Sequence, residues 1–147
     1  MNKRVAHVAS IAILAFALLL TPAALAAKGR GGGKPSGGST NGSSIRLAPL
    51  VFDANGNGLP DHADVVTFNV STTATLEPFV NVRCYQNGAL VLNSWQGYFE
   101  GALNSSRDFT LGSGAWPSGA ADCTASLDRY ARNKWNVLAT TSFHVGA

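Results

Sequence analysis

The densest run of side chains able to do chemistry is Asp53-Ala54-Asn55-Gly56-Asn57-Gly58-Leu59-Pro60-Asp61-His62-Ala63-Asp64. Oxygen-bearing side chains fall at positions 1, 3, 5, 9 and 12 of it: Asp53, Asn55, Asn57, Asp61 and Asp64. Gly58 stands sixth, where such a loop must turn sharply, and Leu59 can offer its carbonyl at the seventh place. A hard cation takes roughly six to eight oxygens and no soft ligand. The spacing therefore predicts a calcium site of structural kind. Three features point the other way: a strand follows Asp64 directly, Pro60 has no N–H to donate, and the motif occurs once. The competing expectation is a polar hairpin, which calls for the same Asn, Gly, Pro and Asp.

Two cysteines, Cys84 and Cys123, exclude a Cys-rich zinc module. Both fall on the inward parity of their strands, and neither has a neighbouring His or a C-x-x-C partner, so a disulfide is expected rather than a reactive thiol or a metal pair. His62 and His144 sit in no metal-ligand spacing. There is no G-x-S-x-G elbow, and Glu77 and Glu100, the only glutamates, are not spaced as an acid–base pair. These absences argue against an enzyme. Trp95, Tyr98 and Trp116 are candidates for a ligand surface, since tryptophan and tyrosine on a sheet stack on sugar rings. The alternative is that Trp95 and Trp135 fill the core and Trp116 plugs one end of the fold. For Trp135 the core is the expected place.

The chain that must position these residues has 147 of them, 46% hydrophobic and 13% charged, too apolar and too weakly charged for a disordered polymer. Lys3 and Arg4 precede the apolar run Val8 to Leu20, Pro22 follows, and Ala24-Leu25-Ala26 supplies small residues. This is the layout of a signal peptide over 1–26, cleaved between Ala26 and Ala27, with an uncleaved anchor as the alternative. Residues 27–44 hold KGRGGGKPSGGSTNGSS and read as a flexible linker. Five of the 11 basic residues lie in these two segments, leaving six against eight acidic ones in 45–147. The formal +3 of the whole chain thus belongs to its leader and linker, and nothing in 45–147 suits nucleic acid.

Apolar and polar residues alternate in short runs through 45–147, the period of strands with one buried face. Ile45 to Phe52 opens the series. Val66, Phe68 and Val70 follow, then Val80, Val82 and Cys84. Asn87-Gly88 is a strong hairpin signal, and Ala89 to Trp95 is the returning strand. Arg107 to Leu111 and then Cys123, Ala125 and Leu127 continue it. Trp135, Val137, Ala139, Thr141, Phe143 and Val145 close the chain on one parity. Asp128 to Lys134 is read as a hairpin loop. Seven to eight strands without a helical window predict an all-β antiparallel sandwich.

Ala63-Asp64-Val65-Val66-Thr67-Phe68-Asn69-Val70 resembles the second strand of bacterial extracellular immunoglobulin-like domains, and Ala121-Asp122-Cys123-Thr124-Ala125-Ser126-Leu127 resembles their penultimate strand. The resemblance implies a Greek-key sandwich and a role in adhesion, display or ligand binding, toward an extracellular protein or a glycan. It departs in one respect: Cys84 falls on the third strand, which suggests a bridge between neighbours of one sheet. The Asp53–Asp64 run is similar to the calcium loops of dockerins and thrombospondin type 3 repeats. Together these expectations describe a secreted, non-catalytic binding or surface-display module, with calcium as its one candidate cofactor and no membrane partner in the mature form. A carbohydrate-binding module is the alternative, a small hydrolase the remoter one.

Overall fold

The computed structural model describes residues 42–104 and 106–147. The expected signal peptide, and the linker as far as residue 41, lie outside these. Among the described residues there is no helix, so none long and apolar enough to cross a membrane. The described residues form eight strands: β1 (Ser44–Leu47), β2 (Val65–Val66), β3 (Phe68–Ser71), β4 (Phe79–Gln86), β5 (Ala89–Gly97), β6 (Phe109–Thr110), β7 (Ala121–Ala131) and β8 (Lys134–Val145). All their pairings are antiparallel.

The largest sheet runs β5-β4-β7-β8. Alternation in β4 and β7 sends Val80, Val82, Cys84, Cys123, Ala125 and Leu127 to one face, and all are buried. Two short ribbons, β1–β3 and β2–β6, supply Ile45, Val66, Phe68 and Phe109 to the same core. Phe68 and Phe109 meet edge to face at 5.6 Å. Each buried Val or Leu contributes about 1.5–3 kcal/mol relative to exposure. The arrangement is consistent with a β-sandwich. At its centre Cys84 and Cys123 stand directly opposite each other on β4 and β7 and form a disulfide, with Cα atoms 4.1 Å apart. The bridge therefore joins neighbours within one sheet, as the strand count suggests.

Two tight hairpins shape this sheet. Asn87 and Gly88 join β4 to β5 with φ of 50° and 82°. Arg132 and Asn133 join β7 to β8 with φ of 54° and 62°. Positive φ at both central residues matches the right-handed twist of the flanking strands. The second hairpin is tighter than the loop expected over Asp128 to Lys134, because both strands run on into it.

The expected single parity of the last strand fails. Leu127 pairs with Ala139, but Asp128 pairs with Val137, so Leu138 is an extra residue on β8. This β-bulge places Leu138 and Ala139 both in the interior and reverses the alternation toward the hairpin. Ala139, Thr141 and Val145 face inward as expected, with Phe143 partly buried against the core. Trp135 and Val137 instead face out, 47% and 59% exposed, which corrects the core placement of Trp135. The first strand is also shorter than expected. It ends at Leu47, ahead of Pro49, and Phe52 makes only a single bridge, to Val65. Val66 and Phe68 both point inward, yet the strand is interrupted at Thr67, where the chain changes partner from β6 to β1.

Candidate functional site

The Phe52–Val65 bridge closes the mouth of the Asp53–Asp64 loop. Asp64 is fully buried beneath it; its Oδ1 accepts the N–H of Ala54 and its Oδ2 that of Asp61, each at 2.9 Å. Asp53 accepts the N–H groups of Gly56 and Gly58 at 2.7 Å, one on each oxygen. The Gly58 N–H, then those of Gly56, Asn55 and Asn57, hold the Asp53 carboxyl below the usual range, against an opposing desolvation. Gly56 and Gly58 have φ of 70° and 75°, a backbone that glycine adopts without steric cost. The side-chain amides of Asn55 and Asn57 both donate to Asp61 Oδ2 at 2.6 Å. All five predicted oxygen-bearing side chains thus belong to one network. Leu59 has its side chain in solvent, 64% exposed, and its N–H on Asn57 Oδ1. Among the described residues, no three Asp, Glu, His or Cys side chains are grouped to hold a metal ion. A cation here would need the amide and carbonyl oxygens as well.

The far side of the loop is tied to the last strand. His62 N–H donates to Gly146 O at 3.2 Å and Gly146 N–H to Pro60 O at 2.8 Å. His62 also packs edge-on against Trp116 and holds its Nε2 2.9 Å from the Trp116 carbonyl oxygen. Trp116 is fully buried, its indole N–H donating to Gly119 O at 2.8 Å. It belongs to the core and offers no ligand surface. Tyr98 is 8% exposed, and its hydroxyl donates to Arg107 O at 2.8 Å and accepts the Phe68 N–H at 3.2 Å. Burial pushes this phenol upward in pKa. Of the three aromatics expected at a surface, only Trp95 is there.

Trp95 does not stand alone. It lies 4.8 Å from Trp135 between ring centroids, and Trp135 in turn lies 5.1 Å from Phe79 and 5.2 Å from Tyr130. Phe99 meets Phe79 at 5.3 Å. These five rings form a ridge on the outer face of β5-β4-β7-β8, with Trp95 37%, Trp135 47% and Tyr130 54% exposed. Trp135 reaches from β8 across β7 to meet Phe79 on β4 and Trp95 on β5. The sequence alternation hides this ridge, because only the bulge turns Trp135 outward.

Polar groups are buried under and beside the rings. Asn81, opposite Trp95 on one side and Ser126 on the other, is 1% exposed. Its amide nitrogen donates to Asn93 Oδ1 at 2.8 Å and to Ser94 O at 3.0 Å, while its Oδ1 is buried without a partner. Asp128, between Phe79 and Val137, is 2% exposed and accepts the Ser126 hydroxyl at 2.5 Å. Burial pushes the Asp128 carboxyl up; the Ser126 bond and the charge of Arg83 oppose this in part.

At the other end of the same face His144 Nδ1 lies 2.9 Å from Asp122 Oδ1, with the side chains 67% and 88% exposed. Ser142 is two residues away, but its hydroxyl pairs with Thr124 at 3.3 Å. The three share the rim of a shallow depression of about 450 Å³ with Tyr85 and Phe143. The geometry makes an exposed His–Asp pair, and among the described residues no nucleophile is shown hydrogen-bonded to it. No family model matches this chain, and neither a curated protein nor a solved structure matches it.

Proposed function

We propose that the chain is a secreted, non-catalytic binding module on an immunoglobulin-like sandwich, holding an extracellular protein or glycan on the outer face of its four-stranded sheet. The carrying observation is the aromatic ridge, three of whose rings are more than a third exposed. Contiguous apolar surface of this kind marks a recognition site. The strand order supports the immunoglobulin-like assignment: β5-β4-β7-β8 corresponds to C′-C-F-G, and β1 beside β3 with β2 beside β6 corresponds to A-B-E. The disulfide supports an oxidising compartment. The open His–Asp pair, with Ser142 bonded elsewhere, favours binding over hydrolysis.

Calcium at Asp53, Asn55, Asn57, Leu59, Asp61 and Asp64 belongs to this reading as a stiffener of the loop. Its support is the convergence of Asn55 and Asn57 on Asp61. An amide carries oxygen and nitrogen on interchangeable branches, so a half-turn of each would present two more oxygens beside that carboxylate. Calorimetry with calcium is expected to show binding and a raised melting temperature. Absence of both removes calcium from the proposal. For the module itself, immobilised wild-type protein and a Trp95→Ala/Trp135→Ala twin are compared for retention of extracellular matrix proteins and envelope polysaccharides. Retention by the wild type alone is expected, and equal retention by the two overturns the reading.

A further inference from the structure

We infer that the ridge of Trp95, Trp135 and Tyr130, with Asn81 at its foot, takes a single neutral saccharide chain. The inference rests on the binding-module reading and names its ligand class. Sugars present C–H faces that pack on aromatic rings and hydroxyls that both donate and accept. The site supplies partners for both. Exposed rings of Trp95, Trp135 and Tyr130 offer the apolar contact.

The second observation is independent of the rings. Asn81 Oδ1 is buried and lacks a donor, although the amide nitrogen of the same side chain has two acceptors. A buried carbonyl left unpaired costs roughly as much as a lost hydrogen bond, and a ligand O–H reaching it would recover that cost. Trp95 stands directly opposite Asn81 in the register, which sets the amide beside the ridge.

The surroundings of Asn81 select a neutral ligand. Along the same face the side chains next to the ridge are Asn93, Thr124, Ser126, Thr140 and Ser142, joined in register across β5, β4, β7 and β8. Of the charged groups on this face, Arg83 and the buried Asp128 act on one another, and the exposed Asp122 and His144, beyond Thr124 and Ser142, pair with each other. A row of hydroxyls and amides suits a polyol better than it suits an acidic polymer or the apolar core of a protein interface. Ring orientation narrows the choice further. Trp95 and Trp135 are tilted by 40°, and Tyr130 and Trp135 by 60°. Coplanar rings would lie on a crystalline sugar surface; these instead embrace one soluble, twisted chain.

The purified full chain is applied to an array of soluble neutral oligosaccharides and to affinity gels of β-glucan, xylan and galactomannan, with polygalacturonate as the acidic comparator. Binding to a neutral glycan is expected, weakened at least about tenfold by Trp95→Ala and by Trp135→Ala. Leu103→Ala, at a fully exposed position that is none of the five rings, should leave it unchanged. Titrating the bound glycan into wild type should shift tryptophan emission, which decides the matter even if a variant folds poorly. Binding confined to the acidic polymer, binding that survives both Trp replacements, or no neutral glycan bound and no emission change overturns the inference. Should sugars fail while Trp-dependent retention of an extracellular protein persists, the glycan assignment falls and the binding face stands.

Discussion

The two faces of the β5-β4-β7-β8 sheet are made by the same strands and carry opposite kinds of order. On the inner face small apolar side chains and one cystine alternate without a break through β4 and β7. On the outer face five aromatic rings lie across the strands, beside a buried amide and a buried carboxylate. The inner arrangement follows from pairing alone. The outer one depends on a single extra residue, Leu138, which decides whether Trp135 faces core or solvent. Stability is therefore concentrated on one side of the sheet, and the exposed aromatic surface proposed for binding lies on the other.

The largest test of that division is the cystine. Replacing both Cys84 and Cys123 by Ala should cost about 4 kcal/mol in urea unfolding, from the loop of 39 residues it closes. A cost below about 1 kcal/mol would mean that the inner face does not depend on it. Next, Leu127→Ala should cost about 3 kcal/mol, since this side chain is fully buried. Val137→Ala, on the neighbouring strand but more than half exposed, should change stability by less than about 0.5 kcal/mol. Equal costs in the same urea titration would erase the distinction.

A third comparison uses pH. Burial raises the Asp128 carboxyl, so its folded form is favoured when protonated. That contribution is complete below the ordinary Asp value of about 3.9 and is lost as pH rises through the shifted value. Asp128→Asn should remove the loss, and melting temperatures should show the variant gaining on wild type from about pH 4 upward. Asp53 has the opposite sign. Backbone N–H groups lower it, so its contribution is present above the ordinary Asp value and vanishes as pH falls through the lowered one. Asp53→Asn should therefore be destabilising at neutral pH and converge with wild type in acid. Parallel profiles for the two variants would contradict both assignments. The smallest effect concerns the second hairpin. Arg132→Gly relieves a non-glycine residue at φ of 54° and should stabilise by about 0.5 kcal/mol, read as a shift of the urea midpoint.

Pairing along β4 and β7 was legible because Val80, Val82 and Cys84 are separated by Asn81 and Arg83, and Cys123, Ala125 and Leu127 by Thr124 and Ser126, and because Asn87-Gly88 names its own turn. The disulfide followed from the same parity. Trp135 was misplaced for a physical reason: a bulge leaves no mark in an alternating pattern that continues on both sides of it. Trp116 and Tyr98 sit in segments without periodicity, where a ring is free to turn into the fold; each meets a partner distant in sequence, His62 for one and Phe68 for the other. Spacing placed the Asp53–Asp64 oxygens in one loop, but which backbone N–H each carboxylate takes depends on the left-handed turns at Gly56 and Gly58.

Because Cys84 and Cys123 are bonded at directly opposed positions, β4 and β7 cannot slide past one another by a single residue. Such a slip would turn every side chain of one strand over. While the two strands stay paired, the clasp therefore holds fixed which of their side chains face the core and which face solvent.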